Sequence, residues 1–264
     1  MATSTTQWAL ILGASSGFGA ATGLELARVG FNVFGVHLDT RTTLPNAERT
    51  KAEIEALGRK AVFFNTNAAD GERRQKVLDG MAAQLGEGSS VGVLLHSLAF
   101  GTLKPFLGAN PEDELNQKQM DMTLDVMAHS LVYWTQDLVR RGYLTSGSKI
   151  FAMTSAGSSR IWPTYGAVSA AKAALESHIR QLAFELGPKG IAVNAIRAGV
   201  TDTPALRKIP GNEQLLDVAR TRNPGGRLTT PEDVAKTIAA LSDSRTAWMT
   251  GNVLGVDGAE DIVG

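Results

Sequence analysis

Short apolar runs rich in Val, Ile and Phe recur along the chain, separated by longer stretches in which apolar residues return every three or four positions. Such runs are the mark of strands buried on both faces, and the longer periodic stretches are the mark of helices that cover them. The runs predict strands at Trp8–Leu12, Asn32–Val36, Ala61–Asn65, Val91–His96, Lys149–Thr154, Ala192–Arg197 and Val253–Val256. Their alternation with helices predicts an α/β fold with a doubly wound, seven-stranded parallel sheet, and one domain over residues 1–264. Gly30, Gly58 and Gly142 fall where helices should end, and Thr230-Pro-Glu-Asp233 supplies the cap, proline and acid that open a helix. One long segment, Val200–Arg227, shows no clear strand and carries Pro204, Pro210, Gly211, Pro224 and a Gly pair. Lying just past a strand's C-terminal edge, it reads as a substrate-binding loop insertion, or else as a surface loop with a short helix.

Composition narrows the function. The chain is 43% hydrophobic and 20% charged, enough to build a packed core. Its 26 basic and 26 acidic side chains cancel, so no overall field recruits nucleic acid or an anionic membrane. With no cysteine there is no disulfide and no thiolate nucleophile, and His37, His96, His129 and His178 lack metal-ligand spacing, so no metal site is expected. Residues 1–7 lack a basic region and the apolar run at 8–12 is too short for a leader or a membrane span, which predicts a cytoplasmic protein.

The chemistry begins at Gly13-Ala-Ser15-Ser16-Gly17-Phe18-Gly19, between the first strand and a helix predicted over Ala20–Val29. Glycines there let the backbone approach a pyrophosphate, whose charge is favoured by the open amides of a helix N-terminus. A second cluster lies further on. Ser155 follows the fifth strand, and Tyr165 and Lys172 lie seven residues apart on a predicted helix, two turns along one face. An ammonium near a phenol lowers its pKa, so this pair suits a group that hydrogen-bonds a developing oxyanion.

The G-x-x-x-G-x-G spacing of the turn resembles the first motif of the short-chain dehydrogenase/reductase family, a Rossmann-type fold, and the resemblance runs from about residue 8 to 258. The family's commoner motif is Tyr-x-x-x-Lys, but here that tyrosine position holds Val168. The spacing Tyr165-x6-Lys172 instead resembles the enoyl-acyl-carrier-protein reductase branch. Leu95-His96-Ser97-Leu98-Ala99-Phe100 is similar to that branch's His-Ser-Ile-Ala/Gly-Phe stretch, and Asp125-Val-Met127-Ala-His-Ser130 to its Asp-Ile-Ser-Ser-Tyr-Ser helix. Met127 stands where other members carry a catalytic asparagine. The branch's second tyrosine is missing here, with Ser155 nearby instead, and the Gly-rich turn is similar to that of a minority enoyl reductase type that uses NADPH.

The resemblance implies an NAD(P)H-dependent reductase of 2-enoyl thioesters with Tyr165, Lys172 and Ser155 as catalytic residues. It implies cofactor contacts at Gly13, Ser15, Ser16, Gly17, Phe18 and Gly19, at Asn67 and Ala68, at Ser97, Leu98 and Ala99, at Lys172, and at Ala198, Gly199, Val200, Thr201 and Thr203. After the second strand, His37, Asp39 and Arg41 face the adenosine ribose: Asp39 suits NAD, whereas Arg41 and the lack of an acid at 37 suit NADP, which is favoured by a small margin. The substrate is expected to be an acyl thioester carried by coenzyme A or acyl carrier protein, and the assembly a homotetramer. The alternatives are a carbonyl or 3-oxoacyl reductase, an alcohol dehydrogenase, or a non-catalytic dinucleotide-binding protein. His96 is expected to order its loop. Trp162 reads equally as turn anchor or pocket wall, and Leu98, Phe100, Leu103 and Phe106 as core two times in three.

Overall fold

A computed structural model of the chain describes residues 7–263. It contains one seven-stranded parallel sheet: β1 (Gln7–Leu12), β2 (Asn32–His37), β3 (Ala61–Asn65), β4 (Ser90–His96), β5 (Lys149–Ser155), β6 (Ala192–Ala198) and β7 (Val253–Val256), in the order β3-β2-β1-β4-β5-β6-β7. All seven predicted strands are present, several longer by a residue. The leader reading of residues 1–7 falls, apart from Gln7, outside the described residues.

Continuous apolar runs are explained by what lies on either side of the sheet. Along β1, Trp8, Leu10 and Leu12 pack into one core with α3 (Gly71–Ala82), α5 (Ser130–Arg140) and α6 (Gly166–Leu186). Ala9 and Ile11, pointing the other way, pack with α1 (Gly17–Arg28), α2 (Leu44–Ala56) and α8 (Pro231–Leu241). Helices thus cover both faces, and the order of strands reverses between β1 and β4. That reversal opens a crevice at the carboxyl ends of the strands.

Local signals place most helix ends. Gly30, Gly58 and Gly142 take φ of +111°, +74° and +69°, and Thr230 with Asp233 forms a reciprocal capping box on α8. Three boundaries differ from the sequence expectation. α1 starts at Gly17, not Ala20, so the glycines are part of its first turn. Tyr165 is the N-cap of α6 rather than a residue within it. Between α4 (Gln117–Leu124) and α5 the helix widens into a π-helix at Asp125–His129, a distortion that periodicity does not register. The 200–227 segment holds a 3-10 turn at Leu206–Lys208 and α7 (Asn212–Arg222). Among the described residues no helix is long and apolar enough to cross a membrane, and no group of three or more His, Cys, Asp or Glu could hold a metal.

Candidate active site

At the crevice the backbone turns sharply out of β1. Gly13 has φ +93°, and a Cβ there would lie 2.4 Å from the Ser97 carbonyl oxygen; one on Gly19 would lie 2.0 Å from that of Gly13. Only glycine permits this packing of strand end, turn and helix. Ser97 is held alongside by its amide, which donates to Leu12 O at 2.9 Å. Leu98 lies against the turn, while Ala99 is exposed.

The N-terminus of α1 differs from others in the molecule. Asp70, Asn116 and Thr230 accept backbone N–H bonds at the starts of α3, α4 and α8. Ser16 caps nothing with its side chain, and the first turn of α1, Gly17-Phe18-Gly19, carries no acid. Open amides at the positive end of a helix, at a sheet's switch point, fit the pyrophosphate of a dinucleotide. Thr203, buried, comes within 3.5 Å of where a Gly17 Cβ would be. Ala198 ends β6, the Gly199 amide donates to Val256 O, and the buried Thr201 hydroxyl donates to Gly199 O. This sequence-predicted set therefore meets the turn chiefly through Thr203.

Beside the turn, at the end of β2, His37 is buried and its Nδ1 lies 2.8 Å from the Asp39 carboxylate. Burial works to raise the Asp39 pKa, but hydrogen bonds from Thr43, Ser15 and His37 prevail and hold it below the usual carboxylate value. Asn65 clamps the backbone of Asp39 from β3. Arg41 lies exposed, as does Asn67, whose side chain accepts the Ala69 amide; Ala68 is buried and its carbonyl accepts the Trp134 indole N–H.

The residues expected to be catalytic lie at the end of β5 and the start of α6. Ser155 Oγ accepts the Gly157 amide at 3.2 Å, and a Cβ on Gly157 would fall 2.6 Å from the Tyr165 ring. The backbone of residue 157 is thus pressed flat against the phenol. Just before Tyr165, Thr164 has φ +62°, a strained conformation for a β-branched residue, with its hydroxyl buried and without a partner. Burial pushes the Tyr165 phenol pKa up, offset in part by Ser155. This corrects the expected lowering by Lys172. The Lys172 ammonium is engaged by the backbone, donating to Met153 O at 2.6 Å, and burial lowers its own pKa to about 8 against the opposing pull of Glu176.

One turn beyond Tyr165, Val168 is buried with Met127. A Cβ on Gly101 would come within 2.7 Å of Thr123, 2.9 Å of Val168 and 3.0 Å of the Met127 sulfur. The three side chains close on the glycine with a methyl of Thr123, a methyl of Val168 and the Met127 sulfur, while the Thr123 hydroxyl accepts the Thr102 amide at 3.0 Å. Behind them His96 is buried, and Ser130 donates to Val126 O, so the histidine Nε2 must be the donor to Ser130 Oγ at 2.8 Å. Burial lowers its pKa to about 3, which keeps it neutral, and its bond joins β4 to the first residue of α5, a strand-to-helix tie where the sequence expectation was the ordering of a loop.

Around the mouth, Leu98 and Leu103 pack against the core, whereas Phe100 and Phe106 are 59% and 53% exposed. The majority expectation of core holds for the first two and fails for the phenylalanines. Phe106 lies over Gly166, where a Cβ would be 2.5 Å from the ring. Trp162 donates to Pro210 O at 3.1 Å, so it anchors the 200–227 segment. Sequence reasoning passed over Gly157, Thr164, Glu176 and Glu260, whose carboxylate accepts the Val200 amide at 3.1 Å. Of these only Glu176 had a signal, standing one turn after Lys172.

The pattern of the family described as Enoyl-(Acyl carrier protein) reductase matches residues 13–259. The chain belongs to the short-chain dehydrogenase/reductase family. This dehydrogenase/reductase is 30% identical over 263 residues to 1-cyclohexenylcarbonyl-CoA reductase of Streptomyces collinus, covering 97% of this chain and 88% of that one. It is 26% identical to a probable tetrahydroxynaphthalene reductase of Zymoseptoria tritici, over 95% of this chain and 93% of the other. A short-chain dehydrogenase of Burkholderia cenocepacia solved with NADP superposes with a TM-score of 0.81 at 27% identity, covering 98% of this chain and all of that one. The protein is an NAD(P)-dependent oxidoreductase.

Proposed function

We propose that the protein reduces the double bond of a 2-enoyl thioester. The observation that carries this reading is the apolar closure at Gly101. Val168 and Met127 fill the positions at which the carbonyl reductases of the family hold tyrosine and asparagine, so their proton relay has no place here. The phenol that remains, Tyr165, stands at the lip of α6. The chemistry a nicotinamide would supply when bound is hydride to the β carbon, with negative charge developing on the thioester oxygen. Tyr165, kept protonated by burial, hydrogen-bonds that oxygen; Ser155 beside it orients the phenol. A proton from solvent water, taken up at the α carbon, would complete the reduction. Lys172 would hold the nicotinamide ribose hydroxyls. The exposed rings of Phe100 and Phe106 with the fully open Ile161 give the mouth an apolar rim suited to an acyl chain on coenzyme A or acyl carrier protein.

The cofactor in this reading is NADH, against the small sequence preference for NADP. The charged, well-bonded Asp39 carboxylate faces Ser15, and the base offered to a 2′-phosphate, Arg41, lies exposed. The cofactor contacts are those of the Gly13–Gly19 turn, Asp39, Ala68, Ser97 and the 198–203 segment. Phe184, near the end of α6, and Trp248, ahead of β7, are 79% and 97% exposed, and in this reading a homotetramer of a cytoplasmic enzyme covers them.

The test is oxidation of NADH, followed at 340 nm, with crotonyl thioester and separately with acetoacetyl thioester. Turnover of the enoyl substrate, with NADPH at least tenfold poorer in kcat/KM, is the expected result. Turnover of the oxo substrate alone would overturn the enoyl reading, and preference for NADPH would overturn that of Asp39.

A further inference from the structure

Lys172 is a buried ammonium whose one fixed hydrogen bond runs to a neutral carbonyl, Met153 O. A charge so placed needs a counter-charge to persist. One helical turn along α6, Glu176 accepts the Thr154 hydroxyl at 2.7 Å. Met153 and Thr154 are consecutive at the end of β5, immediately before Ser155. Lys172 and Glu176, four residues apart and so on one face of α6, therefore make two parallel rungs to successive residues of the strand. The Thr154 bond fixes where the carboxylate sits.

We propose that Glu176 is a positioning residue for Lys172: its carboxylate, tethered to β5 through Thr154, is the counter-charge that keeps the buried lysine an ammonium. The other charged groups on elements packed around Lys172 do not serve. His96 of β4 is neutral, and the charge of Lys172 itself helps to hold its pKa down. Arg197 of β6 is a like charge, already paired with Asp261. In the π-helix His129 is bonded to His178, and Asp125 has no bond toward α6. Lys118 and Asp121 of α4 are exposed, and Asp137 and Arg141 of α5 are bound to Arg74 and Asp79 of α3. Glu176 pulls the Lys172 pKa upward against the burial that has brought it to about 8. Without that pull burial acts alone, and the lysine gives up its proton at lower pH. This inference rests on the proposed reading only in giving the ammonium a task, the holding of the nicotinamide ribose.

The experiment follows Lys172 itself. In protein labelled with 13C-lysine, the Lys172 Cε resonance, assigned by its loss in Lys172→Arg, is titrated with pH in wild type, Glu176→Gln, Glu176→Asp and Glu176→Ala. Glutamine keeps an acceptor for Thr154 and removes only the charge. The midpoint is expected to fall by about one pH unit in Glu176→Gln and Glu176→Ala and to stay near the wild-type value in Glu176→Asp. NADH affinity, measured by fluorescence, is expected to weaken about fivefold at pH 8 and less than twofold at pH 6 in Glu176→Gln. An unchanged midpoint in Glu176→Gln overturns the proposal. A shifted midpoint with NADH affinity unaffected at every pH leaves the counter-charge standing and overturns instead the ribose role of Lys172.

Discussion

Tyr165 and Val168 stand one turn apart at the same end of α6, and their surroundings differ in kind. Tyr165 is the N-cap, pressed against the backbone at Gly157, beside Ser155, preceded by the strained Thr164. Val168 lies inside the first core, closed against Met127, Thr123 and Gly101. The first position keeps a polar atom beside the crevice, and the second excludes one. In a helix, a shift of three residues is the smallest that returns to roughly the same face, so the phenol stays on the site side while moving outward by a turn. The comparison teaches that two positions one turn apart on a helix can offer opposite chemistry, and on the proposed reading it is this choice that sets the reaction class.

The sharpest way to break the comparison is to remove the phenol. Tyr165→Phe should lower kcat by about 10²- to 10⁴-fold while NADH affinity changes less than about twofold, since proton and hydrogen-bond donation act only on the reacting oxygen. Steady-state kinetics beside a fluorescence titration decide it, and a small kcat effect would mean that the active oxygen is elsewhere. A smaller effect comes from forcing a phenol into the other position. Val168→Tyr should lose about 1–3 kcal/mol of stability by overpacking against Gly101 and Met127, read from the denaturant midpoint. Placed in the Tyr165→Phe background, it should restore no turnover; restored turnover would show that the closure is not a barrier.

The smallest effect concerns His96 behind the closure. Its folded pKa, about 3, lies below the ordinary histidine value of 6.5, so the folded state binds fewer protons than the unfolded chain between those values. Its contribution is present above pH 6.5 and is lost as pH falls toward 3, with a slope of up to about 1.4 kcal/mol per pH unit. His96→Asn should flatten that slope in denaturant unfolding between pH 7 and pH 5. An unaltered slope would place the acid sensitivity in other groups.

Much of the frame was legible before any coordinates. The seven strands, the glycines that stop helices and the capping box at Thr230 are local signals, each decided by a few neighbouring residues. The glycine spacing at 13–19 and the Tyr165–Lys172 interval marked the crevice and its far wall. What stayed hidden depends on contacts far apart in sequence. The direction of the Lys172 ammonium is set by Met153 O, nineteen residues away, and the raised pKa of the phenol by burial. The exposure of Phe100 and Phe106 likewise follows from where their loop lies, not from their neighbours in sequence.

The sequence by itself therefore determined the fold class, the family and the list of groups available to the chemistry, because hydrophobic period, glycine placement and helix caps act over short range. The tertiary structure alone decided how those groups stand to one another. It closed Met127 and Val168 over Gly101, set the Asp39 carboxylate toward Ser15, and turned Lys172 to β5 with Glu176 beside it. Charge, burial and distance between residues remote in the chain exist only once the chain has packed, and they govern what each side chain can do.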